Sequence, residues 1–125
     1  MLGDLIQARR QLLAAFASDT AAPGTSSDIP SAGHCAAVSV VLKEHFGGEH
    51  MSATVEGQSH WYNRIPWQGG VLEVDLTGDQ FGLYAIQVST DGALYPESRV
   101  RHTYEVNDDT NQRAKLLASR AGMSL

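Results

Sequence analysis

The sequence predicts an α+β domain, with an N-terminal helix and a second helix packed on an antiparallel sheet of four or five strands and a C-terminal helix closing the structure. Three observations carry this. Apolar residues recur at helical spacing near both ends of the chain, the period changes from helical to alternating after Gly47-Gly48, and the alternating segments follow one another through short turns. Short connections imply antiparallel pairing. At 125 residues the chain has the length of one ordinary domain, read here as residues 1–125.

Leu2, Leu5, Ile6, Leu12, Leu13 and Phe16 place an amphipathic helix over residues 1–17, leaving Asp4, Gln7, Arg10 and Gln11 for solvent. Residues 18–32 are small and turn-forming and have no apolar period, so they form a loop. A loop of that length is often functional. It leads directly to Cys35 and is expected to border any site there. From His34 to Phe46, Cys35, Val38, Leu42 and Phe46 share a helical stripe, with Ser31 as the expected N-cap and Gly47-Gly48 as the stop. Met51–Glu56, Ser59–Ile65, Val71–Leu76 and Tyr84–Ser89 read as strands. Asp108-Asp109 then opens a last helix with Ala114, Leu117, Ala118 and Ala121 on one face.

Composition excludes several classes of function. Hydrophobic residues at 42% with charged residues at 18% describe a folded globular chain rather than a disordered one. A net charge of -5 with no basic stripe argues against nucleic acid as the partner. Arg9-Arg10 followed by a short apolar run imitates an export signal faintly and fits a helix better, and no stretch reaches the length of a membrane span. One cysteine cannot form an internal disulfide, so a reducing, cytoplasmic setting is expected.

That cysteine, Cys35, falls in the first turn of its helix, where unpaired N–H groups and the helix dipole favour an anion. His60 lies on a strand within Ser59-His60-Trp61-Tyr62-Asn63, and Asp75 ends the next strand in Val74-Asp75-Leu76-Thr77. A thiol at a helix start, a histidine and an aspartate are the three parts of a cysteine nucleophile with its base and the acid that orients the base. Each has an ordinary structural alternative. Cys35 suits an apolar stripe, His60 a half-buried strand, and Asp75 the start of a turn. Neither a metal nor a cofactor is expected: the glycines break any face joining His45 to His50, and a lone cysteine without paired spacing is a poor zinc ligand set.

Gly33-His34-Cys35-Ala36-Ala37, Phe46-Gly47-Gly48-Glu49, Ser59–Ile65 and Val74-Asp75-Leu76-Thr77-Gly78-Asp79-Gln80-Phe81 together resemble the small bacterial YunG-like proteins, over about residues 20–120. More remotely, a Gly-x-Cys helix followed by a His-aromatic strand and an Asp-bearing strand is similar to the core of the transglutaminase and papain-like superfamily. That resemblance implies a papain/transglutaminase-like core with Cys35 as nucleophile, His60 as base and Asp75 as orienting acid. Asn63 and Asp79 are the alternatives for the place of Asp75. The oxyanion glutamine that papain-like enzymes carry before the cysteine has no counterpart here, so Gln58, Trp61 or a hydroxyl of Ser26, Ser27 or Ser31 is the expected second donor beside the Cys35 N–H. The implied activity is cysteine-dependent acyl chemistry on a peptide, protein or small amide or ester: hydrolysis, deamidation or transamidation. The alternative is a catalytically silent papain-like binding or regulatory module.

Overall fold

The computed structural model describes residues 2–125, and Met1, the first residue of the expected N-terminal helix, lies outside them. Three helices, α1 (Leu2–Ala15), α2 (Cys35–Phe46) and α3 (Asp108–Ala121), accompany five strands: β1 (Glu49–Val55), β2 (Gln58–Trp67), β3 (Gly70–Asp75), β4 (Gln87–Ser89) and β5 (Arg99–Arg101). The strands form one antiparallel sheet in the order β4-β3-β2-β1-β5.

Two tight turns build the centre of the sheet. Glu56-Gly57 joins β1 to β2 and Gln68-Gly69 joins β2 to β3, with φ positive at all four residues, the backbone hand that suits hairpins in twisted sheets. Toward the edges the expected strands give way. Tyr84–Ile86 leave the expected fourth strand, which shortens to Gln87–Ser89. Arg99–Arg101 add an edge strand beside β1 that the three-residue run Arg-Val-Arg did not announce.

One sheet face carries Ile65, Leu72, Val74 and Leu76 against Leu5, Leu12, Val38, Val41, Leu42 and Leu117 of the helices. The other carries Met51, Ala53 and Tyr62 against Tyr95. The stripe of α1 differs from the expected one. Leu5, Ala8, Arg9, Leu12 and Ala15 are buried, whereas Leu2, Ile6 and Leu13 are exposed. The period was right and its phase was shifted, because two alanines lie on the packed face and leave the bulkier neighbours outside. Leu12→Ala is accordingly expected to destabilise the fold by about 2–5 kcal/mol, and Leu13→Ala by no more than about 0.5 kcal/mol, read from chemical denaturation midpoints.

The approach to α2 is held by its own hydrogen bonds. The Ala22 N–H donates to Gly33 O at 2.9 Å, and the Thr20 hydroxyl meets His34 Nε2 at 2.7 Å while the His34 ring stacks on Phe16. Gly33 has φ +77°, and a Cβ there would run into the Thr25 side chain. The helix starts at Cys35 with His34 at the N-cap position and no side-chain cap. Ser31 is not the cap. Its hydroxyl donates instead to Asp79 Oδ1 at 2.5 Å. Among the described residues no helix is long and apolar enough to cross a membrane.

Candidate active site

β2 runs past the end of its pairing with β3. It pairs with β1 over residues 58–64 but with β3 only over residues 63–67, which leaves the flank of His60 open. The turn that follows Asp75 fills this flank. Asp75 divides its carboxylate between two tasks: Oδ1 accepts from the Thr77 N–H at 2.9 Å and the Thr77 hydroxyl at 3.3 Å, and Oδ2 accepts from His60 Nε2 at 2.8 Å and from the Tyr95 hydroxyl. The two readings of Asp75, turn former and histidine partner, are therefore both present, one on each oxygen. His60 is fully buried and Asp75 is 1% exposed.

Burial works against charge on the His60 ring. The hydrogen bonds to Asp75 and Cys35 and the charges of both outweigh it, and raise the pKa from 6.5 to about 9. The surroundings of the ring thus favour its charged form. Burial likewise opposes ionisation of Asp75, but the hydrogen bond and charge of His60, with the Tyr95 hydroxyl and the Thr77 N–H, hold its carboxyl below the usual range. The Tyr95 phenol is pushed up by burial and by its bond to the Asp75 carboxylate, so it remains a donor. The rings of Phe81 and Tyr95 stand perpendicular to that of His60, with centroids 4.9 and 5.5 Å away.

With Nε2–H committed to Asp75, Nδ1 is the nitrogen available to Cys35. Gln80 lies beside the same atom, its Nε2 at 3.4 Å from Nδ1 and at 3.1 Å from Thr77 O. As a neutral imidazole His60 accepts from the Gln80 amide at Nδ1; as an imidazolium it donates toward the sulfur. Asp79 holds the turn in place. Its Oδ2 accepts from Arg9 of α1 at 3.0 Å and its Oδ1 from Ser31, tying the Gly78–Phe81 turn to the segment that delivers Cys35.

Cys35 is half-buried and lines an open cavity of about 530 Å³ together with Gln58, Ser59, Gln80 and Phe81. The segment before α2 supplies another wall through Ala22, Gly24, Thr25, Ser26, Ser27, Ala32 and Gly33. Of the expected auxiliary residues, Gln58 is in this lining. Trp61 and Asn63 are not. Trp61 lies against the His50 ring and under Arg101, and Asn63 donates to Ser39 O of α2 at 3.0 Å. Alternation along β2 explains this, since residues 61 and 63 point to the helix face when 60 and 62 point to the other. Ser31 is taken by Asp79, whereas Ser26 and Ser27 reach the cavity.

Two contributors went unassigned in the sequence. Gln80 stands in the Asp-Leu-Thr-Gly-Asp-Gln-Phe run, and its spacing after Asp75 was a usable signal once that run is seen as a turn returning to His60. Tyr95 comes from an irregular loop, and no periodicity or motif marks it.

The fold and these contacts define an α+β protein with a cysteine lining an open cavity and, next to the Gln80 side chain of the same lining, a fully buried histidine–aspartate pair. The YunG protein family model matches residues 4–124, and the chain belongs to that family. A relative, the uncharacterized protein YunG of Bacillus subtilis (strain 168), is 30% identical over 95 residues, which is 76% of this chain and 75% of the relative. No solved structure matches the chain.

Proposed function

We propose that the chain is a cysteine-dependent acyl-transfer enzyme of the papain/transglutaminase-like type, acting on amides or esters through a thioester on Cys35. The observation that carries this reading is the fully buried His60 ring, held at Nε2 by Asp75 at 2.8 Å and raised to about 9 by Asp75 together with Cys35, which lines an accessible cavity. A purely structural histidine in an apolar site is ordinarily neutral. Here the charged form is the one stabilised, beside the one cysteine of the chain.

In the proposed cycle the Cys35 sulfur adds to the substrate carbonyl carbon, and the carbonyl electrons move to oxygen. As the C–N or C–O bond breaks, His60 Nδ1–H delivers its proton to the leaving amine or alkoxide, and the thioester remains on Cys35. A second nucleophile, water or an amine, then gives a proton to Nδ1 while it attacks the thioester, and the sulfur leaves as thiolate. Asp75 fixes the ring and steadies its positive charge in both halves. The backbone N–H of Cys35, free at the first turn of α2, is the first donor for the oxyanion, and the Gln58 and Gln80 amides are the side-chain donors in the lining.

Incubation with an activated aryl ester, followed by intact-mass measurement, tests this reading. One acyl group per chain should appear, removable by hydroxylamine at neutral pH as a thioester is, and absent from Cys35→Ala. Acylation of lysines alone, undiminished in Cys35→Ala, would leave a silent binding module as the better description.

A further inference from the structure

The lining of the Cys35 cavity holds one acidic and one basic side chain, and we infer that its substrate is a zwitterionic amide, an amino-acid or short-peptide amide with a free amine and a free carboxylate; this rests on the reading of Cys35 as a nucleophile. One wall is the β1–β2 hairpin, which supplies Glu56, Gln58 and Ser59. Glu56 adopts φ 51°, a hand uncommon for a residue with a side chain, and its exposed carboxylate has no hydrogen bond or ion pair among the described residues. The turn thus keeps an uncompensated anion at the rim.

The basic member of the lining is Arg113 of α3, whose side chain is only 11% exposed. Its Nε donates to the Asp109 carboxylate at 2.9 Å in an exposed i,i+4 ion pair, Nη1 to Thr20 O at 3.3 Å and Nη2 to Thr110 Oγ1 at 3.0 Å. These bonds fix the guanidinium beside the Ala22–Ser27 wall and use three of its five N–H groups, leaving one on each terminal nitrogen for the cavity it lines. A guanidinium held in this way recognises a carboxylate through paired donors.

The rest of the lining narrows the class further. Alanines, glycines, serines and a threonine dominate it, and Phe81 is its one large apolar side chain among the described residues. Such a surface offers little to a long acyl chain and many hydrogen-bond partners to a polar backbone. A volume of about 530 Å³ holds an amino-acid amide or a short peptide.

The test uses the full chain and compares alkylation of Cys35 by three reagents: iodoacetamide, the chloroketone analogue of glutamine with both charges free, and the same chloroketone as its N-acetyl methyl ester. In each chloroketone the sulfur displaces chloride, so the C–S bond forms as C–Cl breaks and only recognition differs. The free chloroketone is expected to react about tenfold faster than the blocked one, as modest charge-assisted contacts allow. Derivatives blocked at one end only assign the contacts: Glu56→Gln should remove the preference for the free amine, and Arg113→Lys should weaken that for the free carboxylate. Glu56 lies on an exposed turn, so its variant tests the proposal even if the Arg113 variant loosens α3. Equal rates for free and blocked chloroketones would overturn the substrate assignment. Dependence of iodoacetamide labelling on His60 reports separately on the nucleophile, so a cavity without charge preference and a cysteine without activation are distinguishable.

Discussion

Replacing His60 with alanine is expected to slow acylation of Cys35 by an activated ester by about 10²–10⁴-fold at pH 7, the range ordinarily contributed by a positioned proton-transfer group. The ring does two things that alanine cannot. It places a positive charge next to the sulfur, and it holds a proton at Nδ1 for the leaving group. Gln80 cannot substitute, because a carboxamide neither carries charge nor releases a proton near neutrality. Asp75→Asn should reduce the same rate by a smaller factor while the cavity stays formed, since Thr77 and Tyr95 still find a side-chain partner there. Time courses of intact mass check both variants, and a rate in His60→Ala within a factor of two or so of the native one would remove His60 from the chemistry.

The second large effect is on stability, and its sign follows from the His60 titration. The folded pKa of about 9 exceeds the unfolded value of 6.5, so between these values the native state binds more protons than the unfolded state. Stability from the charged ring is fully present below pH 6.5 and is lost as the pH rises through 9. A separation of this size corresponds to about 3 kcal/mol. The difference in unfolding free energy between the native chain and His60→Gln should therefore shrink by roughly that amount from pH 6.5 to pH 9.5, as measured by urea denaturation. His50 acts in the opposite direction. Burial and the charge of Lys43 lower its pKa to about 4, so the native chain gains stability as the pH rises from 4 to 6.5. With the Ser39 hydroxyl 2.6 Å from its Nδ1, His50 is a neutral core residue. The two buried histidines thus place opposite slopes on either side of pH 6.5.

The contrast between these histidines shows how much the sequence discloses. His50 and His60 both fall on strands and are both buried, and burial alone does not separate them. Cys35 at a helix start and Asp75 at the end of the next strand singled out His60, because reaction chemistry requires an ordered set of residue types and not a pattern of burial. The helices and central hairpins were legible for a related reason: Gly47-Gly48, Gly57 and Gly69 mark where the period changes or the chain reverses. Where tertiary contacts decide, the local sequence carries no signal. The phase of α1 depends on alanines packed against other helices, β5 exists only because β1 offers an edge, and Tyr95 reaches Asp75 from a loop whose course nothing local dictates. The placement of Trp61 and Asn63 was within reach, since a period of two sends them to the face that His60 does not share.

Nitrogen NMR of the His60 ring decides whether Asp75 and Cys35 hold it as an imidazolium. In the native chain both ring nitrogens should remain protonated at pH 7 and titrate together near 9, and the midpoint should fall in Cys35→Ala and further in Asp75→Asn. A ring that is neutral at pH 7, with a midpoint at or below 6.5 that neither substitution moves, would show that His60 is an ordinary buried histidine.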